Sequence, residues 1–222
     1  MGRLKRISSI ILVILIPLLI LTLSQNIIFR TPDAYLFHFN DSQCVDRLYV
    51  SLTNSDMADA LASFMNTFFP YPEEFQVEDN TGYDWIGIFD SRDSYNMLIL
   101  KRAVDISGII CIVSLILIVA IYAVMIRDQE KKTLRNSFMV GAVFSLILTV
   151  VQTVVFSAAG LRDSLFRLIG MRTPAEDSNL EIIMGDDFWG IMSVFLTGIT
   201  VIVFGVVFYI HYRLTRPPRL FY

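Results

Sequence analysis

Four long runs of mostly apolar residues determine what this chain of 222 residues can fold into: 7–29, 103–126, 137–159 and 188–210. Each run is 23 or 24 residues long, and together they hold 42% of the chain. About 20 helical residues cross the hydrocarbon core of a bilayer, so each run is long enough to be a membrane span. The pattern predicts an all-α membrane protein with four transmembrane helices. It excludes a soluble enzyme, a secreted disulfide scaffold and a disordered chain.

The charged residues fall on two sets of segments of opposite sign. The N-terminus, the segment 127–136 and the tail 211–222 carry ten basic and two acidic residues, whereas 30–102 and 160–187 carry eight basic and eighteen acidic residues. Lys and Arg stay on the cytoplasmic side during insertion. We therefore predict a multi-pass protein of the cell membrane, with both termini and 127–136 cytoplasmic and the two long loops outside. Residues 1–29 are interpreted as the N-terminus and an uncleaved first span, because no small-residue cleavage site follows the apolar run.

The first outer segment, 30–102, is predicted to form a small extracytoplasmic α/β cap. Apolar residues alternate at Tyr35, Phe37 and Phe39, which is typical of a short strand. Thr53 and Asp56 have the spacing of a capping box, so a helix is expected to follow and to end before Pro70. The second span is expected to begin outside the membrane, near residue 91.

The second outer segment, 160–187, is predicted to be a short helical loop. Apolar residues in 161–169 recur at helical spacing, and Gly170 is a plausible helix end. Ser178 has capping-box spacing to Glu181. Thr173 and Glu176 also have capping-box spacing, with Pro174 between them.

Few residues in the sequence have an obvious chemical role. Cys44 and Cys111 have neither His nor Cys nearby in the pattern, so they are interpreted as ordinary small side chains. The histidines, His38 and His211, are expected on opposite sides of the membrane. We predict no metal, no cofactor and no nucleic-acid partner. Asp105 is expected to pair with Lys101 four residues before it, and Gln152 to make a hydrogen bond between helices.

The arrangement resembles a bacterial family of four-span membrane proteins that includes the lipoprotein intramolecular transacylases. The likeness covers nearly the whole chain and is carried by short motifs at 16–19, 56–69, 89–97, 163–167 and 184–189. The resemblance implies transfer of an acyl chain from the diacylglyceryl group of a lipoprotein to the amine of its N-terminal cysteine. That chemistry needs a base to deprotonate the amine and a donor or cation to stabilise the oxyanion.

Two positions depart from the family pattern. Arg92, Met97 and Lys101 match it, but Asn96 and Arg167 stand where the pattern has histidines. An amide does not titrate and a guanidinium stays protonated, so neither side chain can be a base.

The sequence therefore yields two sets of candidate site residues. The candidates for a catalytic role are Asp93, Asn96, Asp105 and Arg167. The candidates for lipid binding are Arg92, Lys101, Arg102, Arg162 and Arg167. We interpret the chain as a transacylase-like protein, catalytically altered or inactive, that binds lipid or lipoprotein at its outer face. The alternatives are active acyl transfer with a rearranged site and a four-span accessory or assembly subunit. The expected partners are membrane lipids, with bacterial lipoproteins or another membrane protein as further candidates.

Overall fold

The structure is a computed structural model and describes residues 2–48, 50–79, 86–173, 175 and 178–216. Its helices are α1 (Gly2–Arg30), α2 (Pro32–Ser42), α3 (Asn54–Asn66), α4 (Ser91–Arg127), α5 (Lys131–Ser157), α6 (Ala159–Ile169), α7 (Asn179–Met184) and α8 (Asp186–Thr215). A short 3₁₀ turn covers Val45–Leu48. Strands β1 (Glu78–Asp79) and β2 (Ile86–Gly87) pair antiparallel over two residues each.

Four helical segments are long and apolar enough to cross a membrane: Lys5–Arg30, Ser91–Arg127, Lys131–Ser157 and Asn179–Thr215. On α4, the large apolar side chains of Ile109, Ile112, Ile116 and Val119 are all at least 60% exposed and lie three or four residues apart. A soluble protein rarely exposes an apolar stripe of this length, whereas lipid tails can cover one. The chain is a multi-pass membrane protein, and the prediction of four membrane helices is confirmed.

The chain divides into two compact units, and each long helix contributes to both. The first unit consists of residues 1–24, 107–151 and 197–222. Its core is built from apolar side chains of α1, α4, α5 and α8: Leu12, Ile16, Ile20, Tyr122, Met125, Leu134, Phe138, Ala142 and Val203. His211 stacks on Phe138 with ring centroids 3.8 Å apart and shares a hydrogen bond of 2.7 Å with the Tyr122 hydroxyl. The imidazole of His211 is therefore part of this core.

The second unit consists of residues 25–106 and 152–196. Helices α2 and α3 pack against each other and bury Tyr35, Phe39, Met57, Leu61 and Met65. The predicted capping box of α3 is present: the Thr53 side chain accepts from the backbone N–H of Asp56, and the Asp56 carboxylate accepts from the backbone N–H of Thr53.

The predicted strand at 35–40 is wrong, and the α/β cap is not supported. Residues Pro32–Ser42 form a helix, with Pro32 in its first turn, where the missing N–H is not needed. The buried positions are Ala34, Tyr35, His38 and Phe39, which is the spacing of one helix face. A short alternating pattern of apolar residues fits a helix as well as a strand. The segment is a helix because side chains three and four residues apart are buried together. The two-residue pair of β1 and β2 is too short to form a sheet layer.

Candidate functional site

The second unit contains a cavity of about 350 Å³, walled by three separated stretches of chain. Helix α4 contributes Met97 and Leu100, and the remaining walls come from α6, from 171–173 and 175, and from α7 and the start of α8. Three arginines line it: Arg162, Arg167 and Arg172. Phe166, Met184 and Trp189 add to its apolar surface. The cavity thus combines three arginines and three carboxylates, those of Asp163, Glu181 and Asp186, with an apolar lining.

Helix α6 positions two of these arginines. It ends where predicted, at Gly170, whose φ of 98° places it in the left-handed region. The backbone N–H groups of Gly170 and Met171 donate to the carbonyl oxygens of Arg167 and Phe166, at 3.1 and 2.9 Å. This bonding pattern closes the helix and turns the chain toward Arg172. Arg167 is exposed at the cavity wall.

Arg162 lies in the first turn of α6 and is only 5% exposed. Its guanidinium forms an ion pair with Asp186, and Asp163 lies 3.7 Å away. Asp186 is in the first turn of α8, where the helix dipole also favours a carboxylate. Arg162 therefore joins α6 to α8 besides lining the cavity.

Asn96 is fully buried and makes two hydrogen bonds to one residue. Its Nδ2 donates to the carbonyl oxygen of Arg172 at 2.9 Å, and the backbone N–H of Arg172 donates to its Oδ1 at 2.8 Å. The guanidinium of Arg172 lies over the Tyr95 ring, 4.4 Å from its centroid. Asn96 holds a cavity-lining segment in place and is not among the residues that line the cavity.

Asp93 is also engaged in packing. It is 1% exposed, and its Oδ2 accepts from the backbone N–H of Leu180 at 3.1 Å, at the start of α7. Its Oδ1 has no hydrogen-bond partner among the described residues. Asp93 therefore connects α4 to α7 without lining the cavity itself.

Asp105 belongs to a separate charged cluster. The predicted pair with Lys101 is present at 3.1 Å, and Arg30 adds a second ion pair at 2.6 Å. Lys101 is completely buried, with its Nζ 5.1 Å from the centre of the Tyr71 ring. Asp105 lies twelve residues beyond Asp93 on one helix, a rise of about 18 Å. The four catalytic candidates are therefore not brought together.

The other lipid-binding candidates have different surroundings. Arg92 and Arg102 are exposed and do not line the cavity, whereas Arg162 and Arg167 do.

Gln152, as predicted, accepts a hydrogen bond from Gln25 on another helix, at 3.2 Å.

The lining residues that lay outside the predicted site include Arg172, Glu181, Asp186 and Trp189. Ser178 does cap α7, accepting from the backbone N–H of Glu181 at 3.2 Å, so the capping pattern located this carboxylate in a first turn. No local pattern points from there to the cavity. The other capping box, around Pro174 and Glu176, falls on residues outside the described part of the chain.

A second cavity, of about 310 Å³, corrects the interpretation of Cys44 as a cysteine without a histidine nearby. His38 Nε2 lies 3.9 Å from Cys44 Sγ, and both side chains line this cavity. Gln43 ends α2 in the left-handed conformation, with φ 51°, and this turn folds Cys44 back under His38. Burial lowers the pKa of His38, while the Asp187 carboxylate and the backbone of Ile183 act in the opposite direction.

No cluster of three or more metal-ligating side chains occurs among the described residues. No protein-family model and no curated protein matches the sequence.

Solved structures do match the fold. The structure of the membrane integral lipoprotein intramolecular transacylase Lit from Bacillus cereus superposes with a TM-score of 0.69, at 11% identity, over 94% of this chain and 96% of that one. The chain has the fold of Lit. Two Lit variants, with a histidine replaced by arginine or by alanine, give TM-scores of 0.66 and 0.65 at 11% and 12% identity. They cover 94% of this chain and 92% and 94% of theirs.

The likeness to Lit confirms the resemblance inferred from the short sequence motifs. It extends over nearly the full length of both chains, as those motifs predicted. At 11% identity the shared property is the fold, and a fold hosts different activities according to the side chains in its sites. What this chain does with the Lit fold therefore depends on the residues of its cavities.

Proposed function

We propose that this protein binds an anionic amphiphile, a membrane lipid or the lipid-modified end of a lipoprotein, in the cavity lined by Arg162, Arg167 and Arg172. The observation that carries the proposal is the combination of these arginines with an apolar lining in one cavity of about 350 Å³. A guanidinium presents a planar set of donors that matches phosphate oxygens, and apolar side chains offer a surface to an acyl chain. The cavity suits one headgroup and the adjoining part of its chains.

We also propose that the transfer chemistry of a transacylase is altered or lost in this chain. Asn96 and Arg167 occupy the two positions where the family pattern has histidines. The side-chain amide of Asn96 is hydrogen-bonded to the backbone of Arg172 through both its donor and its acceptor, and Arg167 remains a cation. Binding without transfer is the function that this set of side chains supports best.

Active transfer with a rearranged site is the second candidate, and one observation favours it. Glu181 lines the same cavity as the arginines, so a carboxylate is available there to act as a base. Under this alternative Glu181 would deprotonate the attacking amine, and an arginine would stabilise the oxyanion.

The membrane topology stays a proposal based on charge. Both termini and 127–136 are placed in the cytoplasm, and 30–102 and 160–187 outside the cell membrane. Reporter fusions after residues 130 and 175 test it, because an enzyme that is active only outside the cell should work only at the second site. Activity at the first site and not at the second would reverse the orientation.

The binding proposal is tested by native mass spectrometry of the full chain exchanged into phosphatidylglycerol-containing detergent micelles. Wild type should retain lipid, and Arg167→Ala and Arg172→Ala should each reduce the retained fraction severalfold. Arg127→Ala is the matched control, because Arg127 is an exposed arginine of the first unit. Equal retention by wild type and both cavity variants would rule out this cavity as the lipid site.

Transfer is tested separately, by mass spectrometry of lipoprotein N-termini in cells with and without the protein. An unchanged acylation pattern is expected. A new N-acylated form that disappears in Glu181→Gln would establish the second candidate. Co-purification with one membrane protein at constant stoichiometry would favour the accessory subunit.

A further inference from the structure

The second cavity contains a cysteine and a histidine in the relation of a nucleophile and its base. Cys44 and His38 are each 2% exposed, and Nε2 lies 3.9 Å from Sγ. His38 Nδ1 makes no hydrogen bond of normal geometry within the described part of the chain. The backbone of Ile183 acts on the imidazole as a weak hydrogen-bond partner, which is the place of the third group that orients the base in such pairs.

We propose that Cys44 is a nucleophilic thiol, that His38 is its general base, and that the second cavity accepts a short-chain acyl thioester whose acyl group passes to Cys44. The chemistry proposed here uses none of the arginines of the first cavity, although Glu181, Gly185 and Asp186 line both cavities. Nucleophilic cysteines commonly work with a histidine that takes the thiol proton.

The size and lining of the cavity indicate the class of substrate. Its volume of about 310 Å³ holds a small molecule but no long hydrocarbon chain. Much of its lining is polar or charged: Ser42, Arg47, Glu181, Asp186 and Asp187. A short acyl group on a polar carrier fits these walls.

The step balances without an oxidant or a reductant. His38 Nε2 takes the proton from Cys44 Sγ, and the sulfur attacks the carbonyl carbon of the donor thioester. The new S–C bond forms as the bond to the donor's sulfur breaks, and the proton passes from the imidazolium to the departing thiolate. One thioester replaces another, so the exchange is close to isoenergetic.

At rest the pair is a neutral thiol beside a neutral imidazole, and the proton moves only as the sulfur attacks. Burial raises the pKa of the Cys44 thiol, so without a base it would be protonated at neutral pH. Burial lowers the pKa of His38, so its imidazole is neutral and can accept a proton there. The charged groups around the pair are Asp41, Arg47, Glu181, Asp186 and Asp187.

The test is intact-mass spectrometry of the purified full chain incubated with S-acetyl-N-acetylcysteamine. We expect one added acetyl group that hydroxylamine removes. It should be absent in Cys44→Ser and retained in Cys111→Ala, which removes the other cysteine. His38→Gln should slow acetylation at least tenfold, within the range of general-base effects. Arg167→Ala should acetylate normally, which separates this result from the lipid-binding proposal.

A pH profile distinguishes a base from a packing residue. In wild type the rate of Cys44 acetylation should level off near neutral pH, because the imidazole is already neutral there. In His38→Gln it should climb into the alkaline range, as expected for an unassisted thiol. Acetylation confined to Cys111, no acetylation, or identical rates and profiles in wild type and His38→Gln would each overturn the proposal.

Discussion

The side-chain amide of Asn96 forms two hydrogen bonds with the main chain of Arg172, at 2.9 and 2.8 Å, in a completely buried position. This pairing fixes the stretch after α6 against α4. The amide of Asn96 therefore serves the shape of the cavity.

Asn96→Ala should destabilise the protein by about 1–3 kcal/mol, because it removes two part-buried hydrogen bonds to the main chain of Arg172. Thermal unfolding in detergent measures this. Asn96→Asp keeps the acceptor for the Arg172 N–H and loses the donor to the Arg172 carbonyl oxygen. We expect it to lower the free energy of unfolding by less than Asn96→Ala when the carboxyl group is protonated. A change within about 0.5 kcal/mol for Asn96→Ala would contradict the structural role.

Asp105→Asn should also destabilise the protein strongly. Arg30 and the fully buried Lys101 share the Asp105 carboxylate, so its removal leaves two cations uncompensated, at a cost of about 3 kcal/mol or more. The double variant Asp105→Asn, Lys101→Met should recover part of this loss. No recovery would show that the pair is not the reason for the destabilisation.

The cations predicted from sequence should separate into two groups in lipid binding. Arg167→Ala should lower lipid retention severalfold, whereas Arg92→Ala and Arg102→Ala should change it little, because only Arg167 lines the cavity. Lipid retention in micelles measures all three. Equal losses in the three variants would point to general attraction of anionic lipid to a cationic surface instead of a defined site.

Stability should fall with acidification through the range in which His38 titrates. Its pKa in the folded protein is lowered by burial, while the unfolded chain has the ordinary value of about 6.5. The unfolded state therefore binds the proton first, and the contribution of His38 is complete above about pH 6.5 and declines as pH falls toward the folded value.

Melting temperatures at about pH 7.5 and about pH 5.5 bracket the start of this decline. We expect a smaller difference between the two in His38→Gln than in wild type. A difference of the same size in both would assign the pH dependence to other groups.

Elements with local signals were predictable from the sequence. The four apolar runs, the capping box at Thr53 and the end of α6 at Gly170 depend on residues close together in the chain. Helix α4 begins at Ser91, where an extension beyond the membrane span was expected. Segment 35–40 failed because its alternation is too short to separate the periods of a strand and a helix.

The cavities were not predictable, because tertiary packing assembles them. Met97, Arg167 and Glu181 come from three distant segments, and nothing in any one segment indicates the other two. Cys44 and His38 are only six residues apart, yet their contact depends on the left-handed turn at Gln43. A non-glycine residue in that conformation gives almost no signal in the sequence.

Helix α7 is six residues long, and Glu181 and Gly185 at its two ends line both cavities. A Cβ on Gly185 would come within 2.8 Å of the Glu181 carbonyl oxygen, so a larger residue at this position would force the partition to shift. A ligand that displaces it from one side alters the binding free energy on the other, and thermodynamic linkage makes the effect mutual. Lipid occupancy and thiol reactivity are thereby joined as readouts of one shared wall.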